Sequence, residues 1–172
     1  MTSRHGLGSV GMVRVRAGTA ADVPVAAEVW RAAWYDGHRG HVPDALLAAR
    51  DPGYFHATAA ALAGGTLLAV DPDDRIVGLV IVKDDELVQL AVDRTARRGG
   101  VGALLLAAAE ARIAATGHDR AWLAVVPGNT TARAFYERHG WTDDGPLTYA
   151  APAATGGPVP VPVRRYLKAL TS

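Results

Sequence analysis

The run Glu86-Leu-Val-Gln-Leu-Ala-Val92, followed by Asp93 to Ala103, constrains this chain most. A buried-type strand passes into a basic glycine turn, Arg97-Arg98-Gly99-Gly100-Val101-Gly102, which opens an alanine- and leucine-rich helix reaching about Ala115. Glycine at 99, 100 and 102 permits a sharp turn and lets another molecule approach the backbone closely. The first amides of such a helix point outward without intrahelical partners, and its dipole favours an anion there by roughly 0.3 to 1 kcal/mol. The turn therefore reads as an anion site to which Arg97 or Arg98 can add charge-assisted hydrogen bonds. A plainer reading, two solvated arginines on a loop shortened by glycine, uses the same residues. No Gly-Lys-Ser/Thr follows, which argues against a P-loop, and Leu105 stands where a dinucleotide fingerprint would carry its third small residue.

The surroundings of that turn predict a mixed α/β fold. Met12 to Ala17 alternates as a first strand, and Thr19 with Asp22 opens a helix to about Trp34, broken by Asp36, Gly37 and Gly40. Short helices follow over Pro43 to Ala49 and from the Asp51-Pro52 cap to about Ala63. Thr66 to Val70, Arg75 to Lys83 and Glu86 to Val92 are β-rich runs separated by aspartate-rich turns, as in a meander. After the long helix come a strand over Ala121 to Val126, a helix from Asn129 or Thr130 to His139, and two closing strands across the Pro- and Gly-rich stretch Ala151 to Pro160. The reading is a flexible lead-in over 1–11 and one domain over 12–172.

Composition narrows the function. With 18 basic and 17 acidic residues the net charge is +1, so no global field favours nucleic acid or a charged membrane surface, and any anion site is local. The absence of cysteine removes a thiol nucleophile, a disulfide and a thiolate metal site together. His38 and His41 near Asp36 and Asp44 show no recognised ligand spacing, so no metal is expected. Neither a signal-peptide run nor a membrane span is visible, and a cytoplasmic protein is expected.

A second segment, Asn129-Thr-Thr-Ala-Arg-Ala-Phe-Tyr136 to Gly140-Trp141, joins the first in a familiar order. Together they resemble the GNAT N-acetyltransferase superfamily, whose acetyl-CoA motif is Gln/Arg-x-x-Gly-x-Gly/Ala at a helix start; Arg97, Gly100 and Gly102 match it. The resemblance runs from Val13 to about Leu170. It implies the GNAT fold: a central, mixed, mostly antiparallel sheet of about six to seven strands, flanked by helices and splayed between the fourth and fifth strands. It implies further that the amides of Arg97, Arg98, Gly99, Gly100, Val101, Gly102 and Ala103 hold the CoA pyrophosphate. Leu90, Ala91 and Val92 would pair with the pantetheine arm, Asn129 would lie beside it, and Tyr136 would lie near the thioester sulfur. As bare residues, Asn129 is equally a helix cap and Tyr136 a core aromatic.

The expected chemistry is direct transfer of acetyl from acetyl-CoA to a primary amine of a small molecule in a ternary complex. An alkylammonium with a pKa near 10.4 is only about 0.04% neutral at pH 7, a deficit of roughly 4 to 5 kcal/mol, and only the neutral amine attacks a thioester. Glu86 is the expected base, directly or through water, although beside Asp84 and Asp85 it also reads as an exposed turn residue. Tyr136 is the expected acid for the departing thiolate, and the Val92 amide the oxyanion donor. Trp34, Tyr35 and His38, with Glu86, are the expected acceptor-site residues; Trp30 and Trp34 share a helix face suited to core packing, which makes Tyr35 the better pocket residue. Acetylation of a protein N-terminus or lysine is the alternative within the class, a catalytically silent acyl-CoA sensor the alternative outside it, and a homodimer is compatible with either.

Overall fold

The computed structural model describes residues 12–153 and 157–171. The expected lead-in over 1–11 lies outside the described residues. Seven strands, β1 (Arg14–Ala17), β2 (Thr66–Val70), β3 (Ile76–Lys83), β4 (Glu86–Val92), β5 (Arg120–Val125), β6 (Thr142–Ala151) and β7 (Val159–Ala169), form one sheet in the order β1-β2-β3-β4-β5-β7-β6. Every neighbouring pair is antiparallel except β4 and β5. The mostly antiparallel mixed sheet expected of the GNAT fold is therefore present.

Two of the turns show why the meander forms. At the β2–β3 turn the Asp71 carboxylate accepts the Asp73 and Arg75 amides, each at 2.9 Å, and Asp74 takes a φ of 60°. Asp84, at φ 55°, closes the β3–β4 turn. Aspartate tolerates this left-handed region better than most side chains, which is why these acidic clusters read correctly as turns.

Helices α1 (Val23–His38), α2 (Asp44–Ala49) and α3 (Pro52–Ala61) pack on one face of the sheet, against Leu79 and Ile81. Helices α4 (Val101–Ala115) and α5 (Thr130–Arg138) pack on the other, where Val80 and Val82 meet Leu105, Leu106 and Ala109. A Cβ on Gly78 would come within 2.9 Å of the Leu105 side chain and 3.0 Å of the Ala91 carbonyl, so the bare backbone of β3 sets how closely α4 seats.

Helix α1 differs from expectation at its end. It continues through Asp36 and Gly37 to His38 and stops before Gly40, whose φ is +84°. Gly37 stays helical because its missing side chain makes room: a Cβ there would lie 3.0 Å from the Asn129 side-chain amide. One extra helical turn thereby brings the end of α1 against the β5–α5 connection, where Gly128 similarly leaves space for the His41 ring.

Candidate active site

Strands β4 and β5 pair through Glu86 and Trp122 alone and then part. The Trp122 amide donates to the Asp85 carbonyl at 3.0 Å and its indole to the Asp85 carboxylate at 3.2 Å, which pins the strands at this end. Val88 is an extra residue on β4, because Leu87 faces Val82 and Gln89 faces Ile81. This bulge bends the strand away and re-aims its later residues. Beyond it the Asp93 amide donates to Val77 on β3, so by strand alternation Leu90 and Val92 turn their N–H and C=O groups toward the opening. Their carbonyls are met there by side chains, Gln89 Nε2 at 3.3 Å and Arg97 Nε at 3.3 Å. Ala91, grouped with them in the sequence reading, instead directs its backbone to Leu79 of β3, and its parity denies it a place along the open edge.

The glycine turn lies at the far end of this opening. Gly100, at φ 81°, is the cap of α4, and the first intrahelical bond runs from Leu104 to the Gly100 carbonyl at 3.0 Å. The amides of Val101, Gly102 and Ala103 therefore precede the ladder and face outward. Arg98 adopts φ 67°, an uncommon state for a side-chain-bearing residue, and is exposed. Arg97 is not a free cation: its guanidinium meets Asp36 of α1 at 3.1 Å, and Asp36 also holds Arg94 at 2.6 Å. Both arginines hold the Asp36 carboxyl below its ordinary range, Arg94 contributing most. A Cβ on Gly102 would sit 3.4 Å from the Phe135 ring of α5, so this glycine serves helix packing as well as access.

The cleft itself is lined by Leu90, Leu123, Val125, Asn129, Ala132 and Tyr136. Asn129 caps α5, accepting the Ala132 amide at 3.2 Å. Tyr136 is 7% exposed, and burial pushes its phenol well above the usual range.

On the α1 face a second cavity, of about 130 Å³, contains Glu86, Trp30, Trp34, His38, Arg50 and Tyr149 among its walls. His38, Val88, Gln89, Ala124 and Val126 line both spaces, which therefore adjoin. Glu86 is half-buried; burial raises its carboxyl above the ordinary value, while the Tyr149 hydroxyl, donating at 3.1 Å, opposes that rise. The His38 ring stacks on Trp34 with centroids 4.5 Å apart, and its Nδ1 lies 2.8 Å from the Trp34 carbonyl. A carbonyl only accepts, so Nδ1 carries the proton and Nε2 is left as an acceptor; burial lowers the ring's pKa to about 4 and keeps it neutral.

The sequence over residues 26–141 matches the model of the acetyltransferase (GNAT) family. The chain belongs to that family. As a GNAT protein it is an acyltransferase, and solved structures share its fold over nearly the full chain. A GCN5-related N-acetyltransferase from Rhodopseudomonas palustris is 22% identical, with a TM-score of 0.71, 94% of this chain and 97% of that one being covered. PaiA N-acetyltransferase from Thermoplasma acidophilum, in complex with coenzyme A, is 18% identical with a TM-score of 0.72 over 92% of this chain and 99% of that one. A phosphinothricin acetyltransferase from Sinorhizobium meliloti, in complex with AcCoA, is 15% identical with a TM-score of 0.67 over 92% and 88%. No curated protein matches the chain significantly.

Within this GNAT frame the sequence-expected residues divide. Glu86, Trp34 and His38 meet at one cavity and Asn129, Tyr136 and Leu90 along the adjoining cleft. Tyr35 lies elsewhere: its hydroxyl donates to the carbonyls of Leu47 and Arg50, at 3.0 and 2.8 Å, and so ties α1 to α2. Among the cavity residues that escaped the sequence reading are Arg50 and Tyr149. Arg50 stands between two short helices, a position that reads as solvent, and Tyr149 lies on a strand with no clear hydrophobic alternation. Among the described residues no helix is long and apolar enough to cross a membrane, and no cluster of three or more metal-binding side chains occurs.

Proposed function

We propose that this protein acetylates a primary amine of a small molecule with acetyl-CoA, in a single ternary complex. The observation that carries the reading is the parting of β4 and β5 directly after Glu86, a half-buried carboxylate on the wall of the α1-side cavity, which shares Val88, Gln89, Ala124 and Val126 with the cleft. The residues suit acetyl-CoA as co-substrate. The outward amides of Val101, Gly102 and Ala103, with Arg98, offer a site for its pyrophosphate, and the open edge of Leu90 and Val92 offers hydrogen bonds to an extended amide-bearing arm. Acetyl-CoA supplies an activated acyl carbon and leaves as a thiol.

Glu86 takes the proton from the acceptor's ammonium group, directly or through water, and its burial suits it to do so because a raised pKa makes a stronger base. The neutral amine then forms the N–C bond as the C–S bond breaks. Val92 donates its amide to the carbonyl oxygen as negative charge grows there. Tyr136 keeps its proton at neutral pH and delivers it toward the leaving sulfur, while the second proton of the newly acylated nitrogen passes through water to restore the phenol. Because the chain has no cysteine, an acetyl-cysteine intermediate does not arise.

Initial rates measured at varied acetyl-CoA and amine should give intersecting double-reciprocal lines. Parallel lines would overturn the ternary complex. Tyr136→Phe should lower kcat while leaving acetyl-CoA affinity intact, and an equal loss in both would remove Tyr136 from the proton path.

A further inference from the structure

The acceptor cavity carries a buried cation that the acetyl-transfer reaction does not use. Arg50 is 8% exposed, at the end of α2. Its guanidinium lies between two aromatic faces, 4.8 Å from the Trp34 ring and 4.9 Å from the Tyr54 ring. Its Nε donates to the Pro152 carbonyl at 3.2 Å, and its own carbonyl accepts the Tyr35 hydroxyl. The side chain is thus fixed at both ends. The two terminal nitrogens form no hydrogen bond and no ion pair among the described residues, yet they are not sealed off from the cavity they help to line.

An arginine stays charged whatever its surroundings, so burying one without a carboxylate leaves a cost that a ligand can relieve. Stacking satisfies the faces of the guanidinium but leaves its edge, which is shaped for the two oxygens of a carboxylate or phosphonate. The anionic group on the cavity wall, Glu86, is already engaged by Tyr149.

We propose that the acceptor is an amine that also bears an anionic oxygen group, with that group held on the edge of Arg50 and the amine presented to Glu86. This inference rests on the acetyl-transfer function and adds the substrate class: amino acids or amino phosphonates in preference to plain alkylamines, polyamines or amine-rich antibiotics. Arg50 then acts as a specificity-determining residue, fixing which amines reach the carboxylate.

The test compares matched acceptors, each amino acid with its carboxamide and with the amine lacking the carboxyl group, by CoA release and by the mass of the acetylated product. The wild type should favour the anionic member by at least about tenfold in kcat/KM, the worth of one charge-assisted pair. Arg50→Gln should remove that preference mainly through KM, with acetyl-CoA affinity retained by calorimetry. Equal rates for the matched acceptors, faster transfer to the neutral ones, or a preference that survives in Arg50→Gln would overturn the proposal. If Arg50→Gln fails to fold, the wild-type ratio decides alone. Acetyl-CoA binding without transfer to any member would also overturn it, whereas no acetyl-CoA binding at all would defeat the functional reading beneath it.

Discussion

Glu86 and Tyr149 form the most readily tested contact in the molecule. Burial raises the Glu86 carboxyl and the Tyr149 hydrogen bond lowers it. Because the base must be ionised, kcat/KM should rise with pH along a limb above the ordinary carboxylate range. Tyr149→Phe removes the lowering contribution, so the acidic limb should move to higher pH; a limb that stays in place would detach Tyr149 from the base. Glu86→Gln should cost about 10² to 10⁴ in kcat, the usual worth of a positioned base. At this scale the site was only partly legible. Glu86 could be picked out because it begins the strand entering the glycine turn, but its partner lies 63 positions away on β6, where the sequence carries no alternation to place it. Tyr35 misled for the opposite reason: an aromatic near a predicted helix end looks available until its hydroxyl is seen to bind two carbonyls of the next helix.

Capping chemistry governs the elements and made most of them readable. Asp51 accepts the Tyr54 amide at 2.8 Å at the start of α3, Asn129 caps α5, and Gly117 and Gly140 follow helix ends at φ 95° and 85°. The end of α1 was not readable, since Gly37 normally weakens a helix and the Asn129 side chain that packs against it comes from a distant element. At its other end the Asp22 carboxylate accepts the Thr19 amide and pairs with Arg16 at 2.8 Å through two oxygens, which holds it well below the usual range. A carboxyl lowered on folding adds stability above its unfolded pKa, about 3.9, and loses it as pH falls toward the folded value. Asp22→Asn should therefore unfold at lower urea than wild type at pH 7, with the gap closing below about pH 4. At the α4 turn Arg98 is the exposed cation that Asp36 does not hold, so Arg98→Glu should weaken acetyl-CoA binding about tenfold or more without changing the melting temperature appreciably. Unchanged affinity would move the pyrophosphate away from this turn.

The whole molecule places a two-faced sheet between the α1-side cavity and the seat of α4, and the cleft exists because β4 cannot follow β5 past the bulge at Val88. The meander of β2, β3 and β4 followed from the succession of elements; the insertion of β7 between β5 and β6 did not, nor did the depth of the cavity, which depends on how α1, α2 and the β6–β7 end meet. Packing on the α4 face should be unforgiving. Leu105 is fully buried against Gly78, and Leu105→Ala should cost about 2 to 5 kcal/mol in urea unfolding. The central claim is acetyl transfer from acetyl-CoA to a small amine, and its most direct measurement is release of free CoA thiol in the presence of an amine panel, with mass spectrometry of the amines. The chain itself contributes no thiol background. Acetyl-CoA-dependent thiol release matched mole for mole by an N-acetylated amine, and lost in Glu86→Gln, is the predicted result; a folded protein that binds acetyl-CoA yet releases no thiol with any amine would contradict it.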